Sequence, residues 1–281
     1  MNEQQAAGKS QPVLQLHNAT VYRSKQRILH QLSLQIDKGE HTAIVGPNGS
    51  GKSTLIKLLT YQLHPVTSED GIPPIRVFGK NRWDVAELRR RVGIVSSDFQ
   101  YYFLNNIKKG RITGVDVVVS GFFSSLQLFP HQKITGAMRE QARATLERMD
   151  AAYLADTLFR EMSAGEARRV LIARSLITSP EALVLDEPTT ALDFVARHNC
   201  MELIRSLAQQ GTTIILITHH IDEIIPEIER VILLKDGEAV YDGPKETTLT
   251  AENLSDTFGH PVGLHRHNGM YSVRLDGAQA D

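Results

Sequence analysis

Gly46-Pro47-Asn48-Gly49-Ser50-Gly51-Lys52-Ser53-Thr54 has the residue types and spacing of a backbone cradle for phosphate. Its glycines let the chain wrap closely and aim N–H groups inward, an anion nest at the start of a helix. The run meets the pattern G-x-x-x-x-G-K-[ST] in full. In that pattern Lys52 reaches the terminal phosphates of a nucleotide and the Ser53 hydroxyl holds Mg²⁺. A second cluster, Leu183-Val184-Leu185-Asp186-Glu187, ends an apolar run in two carboxylates. Asp186 suits a ligand to the metal and its water, and Glu187 a base that polarises an attacking water. A phosphate cradle with a paired acid and base implies hydrolysis of a nucleoside triphosphate.

These groups must be held by short buried strands. Thr42–Val45 is an apolar run leading into the cradle, and a helical pattern follows from Lys52 through Tyr61. Ile75–Phe78, Val92–Val95, Ala182–Leu185 and Thr213–Ile217 read as further strands separated by helical stretches, which predicts an α/β fold with a mainly parallel sheet. Residues 13–35 alternate apolar and polar in two runs, as in an N-terminal antiparallel β-subdomain. From Ser97 to about Pro180 the pattern is mainly helical, with Ala137–Met149, a segment after Gly165 and a loop-rich passage around Asn105–Pro130, and predicts an inserted helical subdomain. The chain thus divides into a polar extension over 1–11, an ATPase-type domain over 12–245 with its helical part at about 97–180, and an extension over 246–281. That last stretch predicts a helix at Ala251–Phe258 and a hairpin at Val262–Val273.

Composition narrows the class. Lys plus Arg (31) balance Asp plus Glu (32) over 281 residues, so no overall basic charge points to nucleic acid. The lone Cys200 excludes a disulfide framework and fits a reducing compartment. No apolar run approaches the ~20 residues that span a bilayer. The start of the chain lacks the apolar core of a secretory signal. A cytoplasmic protein is expected, and one that cannot itself be a pore.

Met162-Ser163-Ala164-Gly165-Glu166, with Ala167 to Arg174 after it, resembles the L-S-G-G-Q signature of the ABC ATPase family. Thr190-Ala191-Leu192-Asp193 is similar to the family's D-loop, and Thr218-His219 to its switch histidine. The resemblance covers roughly residues 13–245 and keeps the family's order of motifs. Ser163-x-x-Glu166 is at the same time a capping box, so the signature would open a helix whose N-terminus faces phosphate. His219 takes the family position that contacts the γ-phosphate, and its neighbour His220 has no settled role.

The resemblance implies a head-to-tail homodimer, because the cradle of one subunit and the signature of the other complete each ATP site. It implies ATP and Mg²⁺ as ligands, integral membrane permease subunits as partners, and a place on the inner face of the cell membrane. A substrate-binding protein would act through the permease. Asp116–Phe123 and Leu254–Val262 resemble segments of importers for iron chelates, haem and cobalamin, and the serine pair Ser96-Ser97 is similar to molybdate-linked relatives. The alternative is a soluble ABC ATPase of repair, translation or regulation. Three positions depart from the family. Ser97 stands where its Q-loop glutamine sits, with Gln100 three residues on. Ala164 and Glu166 replace glycine and glutamine. Arg23, or Tyr22 one residue away, takes the place of the aromatic that stacks on adenine.

Overall fold

The computed structural model describes residues 11–67, 70–96, 111–125, 128–129 and 131–275. Two long strands, β1 (Pro12–Arg23) and β2 (Gln26–Asp37), form a hairpin whose alternating Leu14, Leu16, Leu32, Leu34 and Ile36 turn to a core. β3 (Thr42–Val45) is buried at every residue and runs into the cradle and α1 (Lys52–Leu59). The helix is shorter than its pattern suggests. Thr60 ends it, and Tyr61 has left-handed φ of 54°.

β4 (Ile75–Val77) departs from the expected parallel arrangement. It pairs antiparallel with β1, Leu14 opposite Val77, and so completes the three-stranded β2-β1-β4 sheet. Exposed Arg76 between buried Ile75 and Val77 is the alternation of a sheet with one solvated face, a pattern too short over three residues to stand out in the sequence.

α2 (Val85–Arg91), capped by Asp84, leads into β5 (Val92–Ser96). The next described elements are helical: α3 (Gly114–Ser120), α4 (Gly136–Arg148) and α5 (Ala164–Leu176). Each has a hydroxyl N-cap, Thr113, Thr135 and Ser163 respectively, which satisfies a backbone donor at the start of the helix. Arg174 on α5 is buried, and it joins these helices by donating to Ser120 Oγ at 3.0 Å and to the Ser125 carbonyl at 2.7 Å. Burial, with Arg89 nearby, brings its pKa down to about 10.

β6 (Ala182–Asp186), α6 (Phe194–Gln209), β7 (Thr213–Thr218), β8 (Arg230–Lys235) and β9 (Glu238–Pro244) complete the core. The central sheet has the order β5-β6-β7-β3-β8-β9, parallel except for the edge strand β9. After a single helical turn come α7 (Ala251–Phe258) and the hairpin β10 (Val262–His267) and β11 (Met270–Leu275). None of the described helices is long and apolar enough to cross a membrane.

Candidate active site

Three neighbouring strands deliver the site. In the order β6-β7-β3, Asp186 lies opposite Ile217 and Val45 opposite Thr218. The acids after β6, the histidine after β7 and the cradle after β3 therefore emerge side by side. Carboxyl ends of parallel strands are where open α/β sheets bind ligands.

The cradle is shaped by its glycines. Gly49 and Gly51 have φ of 86° and 106°, where a side chain would be strained. At Gly51 a Cβ would also come within 2.7 Å of Leu29, so the loop is seated directly on the β-subdomain. Lys52 opens α1 and is buried, and its Nζ donates to the carbonyls of Gly46 at 2.7 Å and Pro47 at 2.8 Å. Burial pulls the ammonium below its usual pKa, opposed by the charges of Glu187 and then Asp186. Ser50 Oγ is buried without a hydrogen-bond partner, an orphan donor at the cradle that an anion would satisfy. Pro47, Asn48, Ser53 and Thr54 complete the loop, with Ser53 exposed at the first turn of α1.

Glu187 has a left-handed backbone, φ 48°, that a glutamate adopts only when its surroundings impose it. Its N–H donates to the Ile217 carbonyl at 2.8 Å, tying the turn to β7. Its side chain then meets His219, Nδ1 to Oε1 at 2.7 Å, and Thr190 Oγ1 donates to Oε2 at 3.4 Å. The His220 ring lies 4.0 Å from that of His219, centroid to centroid, but the bond to Glu187 belongs to His219. The structure thus gathers Lys52, Asp186, Glu187 and His219 at one sheet end. Hydroxyl and carboxylate oxygens from Ser53 and Asp186 are the hard donors that Mg²⁺ accepts.

The signature residues form a separate unit. Ser163 N donates to Glu166 Oε2 at 2.8 Å and Glu166 N to Ser163 Oγ at 3.3 Å, a complete capping box. The backbone N–H of Ser163 holds the Glu166 carboxyl below its usual pKa. Ala164 takes the first helical position without strain, and Gly165 is required by contact, since a Cβ there would sit 2.9 Å from Ala196 Cβ on α6. Asp193 caps α6 by accepting from Ala196 N at 2.8 Å.

The remaining expectations fall differently. Tyr22 pairs with Arg27 and Arg23 with Gln26 at the tip of the β1–β2 hairpin, and both are exposed. Tyr22 lines a groove with Asn18, Thr20, Gln31 and Val66 that includes none of residues 46–54. Ser97 and Gln100 lie outside the described residues. Sequence reasoning passed over Glu223, which is fully buried beneath the site. The available signal was weak: Glu223 stands beside the exposed acid Asp222, between Ile221 and the pair Ile224-Ile225.

A glycine-rich cradle between β3 and α1, with acids at the end of the strand two places away, defines a P-loop nucleoside triphosphatase. Residues 29–190 match the family model described as ABC transporter. An uncharacterized ABC transporter ATP-binding protein of Lactococcus lactis is 33% identical over 263 residues, covering 93% of this chain and 98% of its own. A hemin import ATP-binding protein of Aliivibrio fischeri is 32% identical over 246 residues, covering 85% and 88%. A dimeric ATP-binding cassette in a post-hydrolysis state, bound to ADP and Pi, superposes with a TM-score of 0.64 at 27% identity, covering 82% and 98%. The chain belongs to the ABC transporter family. It is an ATP-binding subunit of that family and an ATPase.

Proposed function

We propose that the chain works as a head-to-tail homodimer that energises a separate membrane permease for import of a metal chelate or a related small solute. The observation that carries the hydrolytic part is the 2.7 Å bond between His219 and Glu187 at the sheet end that also presents Lys52. In this reading the backbone of Gly46–Thr54 and Lys52 bind the phosphates. Ser53 and Asp186 hold Mg²⁺, which supplies charge neutralisation at the β- and γ-phosphates when bound. Glu187 accepts the proton of the attacking water, and His219 orients that carboxylate and contacts the γ-phosphate. Arg23 or Tyr22, both exposed at the tip of the β1–β2 hairpin, would stack on adenine.

The composite site is supported by the signature's own geometry. Ser163, Ala164, Gly165 and Glu166 open α5, whose N-terminus carries the partial positive charge that favours phosphate. Ser163 and Glu166 bond each other across the first turn, and in this reading the helix start serves the partner's ATP, with Asp193 at the adjoining start of α6. The hemin import relative supports import of a chelate, and the dimeric cassette supports assembly in pairs. The protein would then lie in the cytoplasm against the inner face of the cell membrane, with a substrate-binding protein acting through the permease. On the Q-loop, Ser97 directly follows β5 and is the residue we assign to the contact with metal or water, in preference to Gln100.

Glu187→Gln tests this reading, because it keeps shape and hydrogen bonding but removes the base. The variant is expected to bind ATP and accumulate as an ATP-bound dimer in size-exclusion chromatography while hydrolysis nearly vanishes. Turnover near the wild-type rate would refute the assignment. Co-purification from membranes with an integral membrane protein tests the transport half.

A further inference from the structure

We infer that Glu223 is a positioning residue of the hydrolytic centre, clamping the turn that carries Glu187 to the strand end that carries His219; this rests on the hydrolytic reading above. Glu223 is 0% exposed, in a short 3-10 turn four residues beyond His219. Its two carboxyl oxygens face different elements. Oε1 accepts from the Thr189 hydroxyl, two residues after Glu187, and Oε2 accepts from the Thr218 hydroxyl, one residue before His219. Both threonines are buried. Thr218 Oγ1 in turn accepts the His220 backbone N–H at 2.9 Å, so the clamp also fixes the chain on the far side of His219.

A fold needing only a filled core would place an apolar residue here, as Ile221, Ile224 and Ile225 around it are. A buried carboxyl is costly unless its oxygens are matched, and these are matched by hydroxyls from the two segments that bear the reactive pair. Those segments need holding. Glu187 sits in a left-handed backbone conformation, and its side chain reaches His219 across a sheet end. A second buried ionisable residue lies nearby. Arg168 on α5 is 1% exposed, with Nε and Nη1 lacking hydrogen-bond partners. Burial lowers its pKa, while Cys200, Glu223 and Asp186 act in the opposite direction.

The clamp predicts a split between rate and binding. Thr189→Val, Thr218→Val and Glu223→Gln keep side-chain volume; the first and last break or reverse one bond each, and Thr218→Val breaks two, those to Glu223 and from the His220 N–H. Each is expected to lower kcat per nucleotide-binding site by about 10- to 100-fold, the effect of a small misplacement of reacting groups. KM for ATP should stay within about twofold, since the cradle is untouched. Thr189→Val combined with Glu223→Gln should lose little more than the worse single variant, because both break one unit. Site concentration is measured by stoichiometric binding of a non-hydrolysable ATP analogue, so misfolded protein does not count as slow enzyme. If Glu223→Gln yields no nucleotide-binding protein, Thr189→Val carries the test alone. Wild-type kcat per site in the variants that bind nucleotide would overturn the inference, as would a rate loss that vanishes on this normalisation. Glu187→Gln is run in the same assay. If it turns over normally, the hydrolytic reading fails; if it is inactive while the clamp variants are normal, only the clamp fails.

Discussion

At the scale of single residues, the site works through groups that are each held by a neighbour. Lys52 is the plainest instance, buried at the start of α1 and bonded to two carbonyls of its own loop. In the proposed reading its charge pairs with phosphate, and hydrogen bonds between charged groups are the strong ones. Lys52→Ala should therefore lose ATP affinity by a factor of about ten or more, read by equilibrium titration with a fluorescent ATP analogue. Unchanged binding would count against the cradle. Cys200 illustrates the opposite case. Its thiol is buried, lies 3.8 Å from the Pro188 carbonyl, and has a pKa pushed up to about 12 by burial, so it packs beneath the site and is unreactive at neutral pH.

At the scale of elements, the start of α5 combines a cap with a close helix contact. Glu166 departs from the family's usual glutamine, and its carboxylate is used in the capping box. Glu166→Ala should cost about 1 kcal/mol by removing half of that box, measured by thermal or urea unfolding. The pH dependence follows from the depressed pKa of Glu166. A carboxyl whose folded pKa lies below its unfolded value stabilises fully above the unfolded value and loses that contribution as pH falls through the folded one. The stability gap between wild type and Glu166→Gln should accordingly be widest near neutral pH and narrow below the ordinary carboxylate range. Gly165 sets the spacing between α5 and α6. A methyl group there would sit 2.9 Å from Ala196 Cβ, so Gly165→Ala should destabilise by about 1–3 kcal/mol through overpacking. Ala196→Gly in the same chain should recover part of that loss.

At the scale of the whole molecule, function is divided between two chains in the proposed dimer. Ser163→Arg should leave ATP binding by the monomer intact while blocking dimerisation and hydrolysis, because its effect falls on the partner's nucleotide. Mixing Ser163→Arg with Lys52→Ala subunits places both lesions in one composite site and leaves the other whole. Hydrolysis should return to a measurable fraction in the mixture but in neither parent, as followed by phosphate release. Loss of ATP binding by the Ser163→Arg monomer would contradict a composite site. The C-terminal extension bears on the same region. α7 and the β10–β11 hairpin pack beside the turn after His219, where Leu254, Phe258, Val262 and Val273 share a cavity of about 420 Å³ with His219 and His220.

Local chemistry by itself determined the cradle, the two acids, the capping box and most element positions. These depend on contiguous residues: glycine spacing, a hydroxyl three residues ahead of an acid, apolar runs of strand length. The terminal helix Ala251–Phe258 was legible in the same way, since Thr250 and Gly259 punctuate it. Three features were decided by tertiary structure alone. β4 pairs with β1 and not with the parallel sheet, because strand partners are chosen across the fold and a three-residue strand, Ile75-Arg76-Val77, is too short to name its partner. The left-handed conformation of Glu187 arises from its bond to Ile217 and from the packing of its turn, neither of which leaves a trace in a glutamate's sequence neighbours. Glu223 reads as a surface acid until Thr189 and Thr218, 34 and 5 residues away, close over it. Burial and pairing belong to the folded chain, and only there does the inner of two adjacent acids acquire partners that make its burial tolerable.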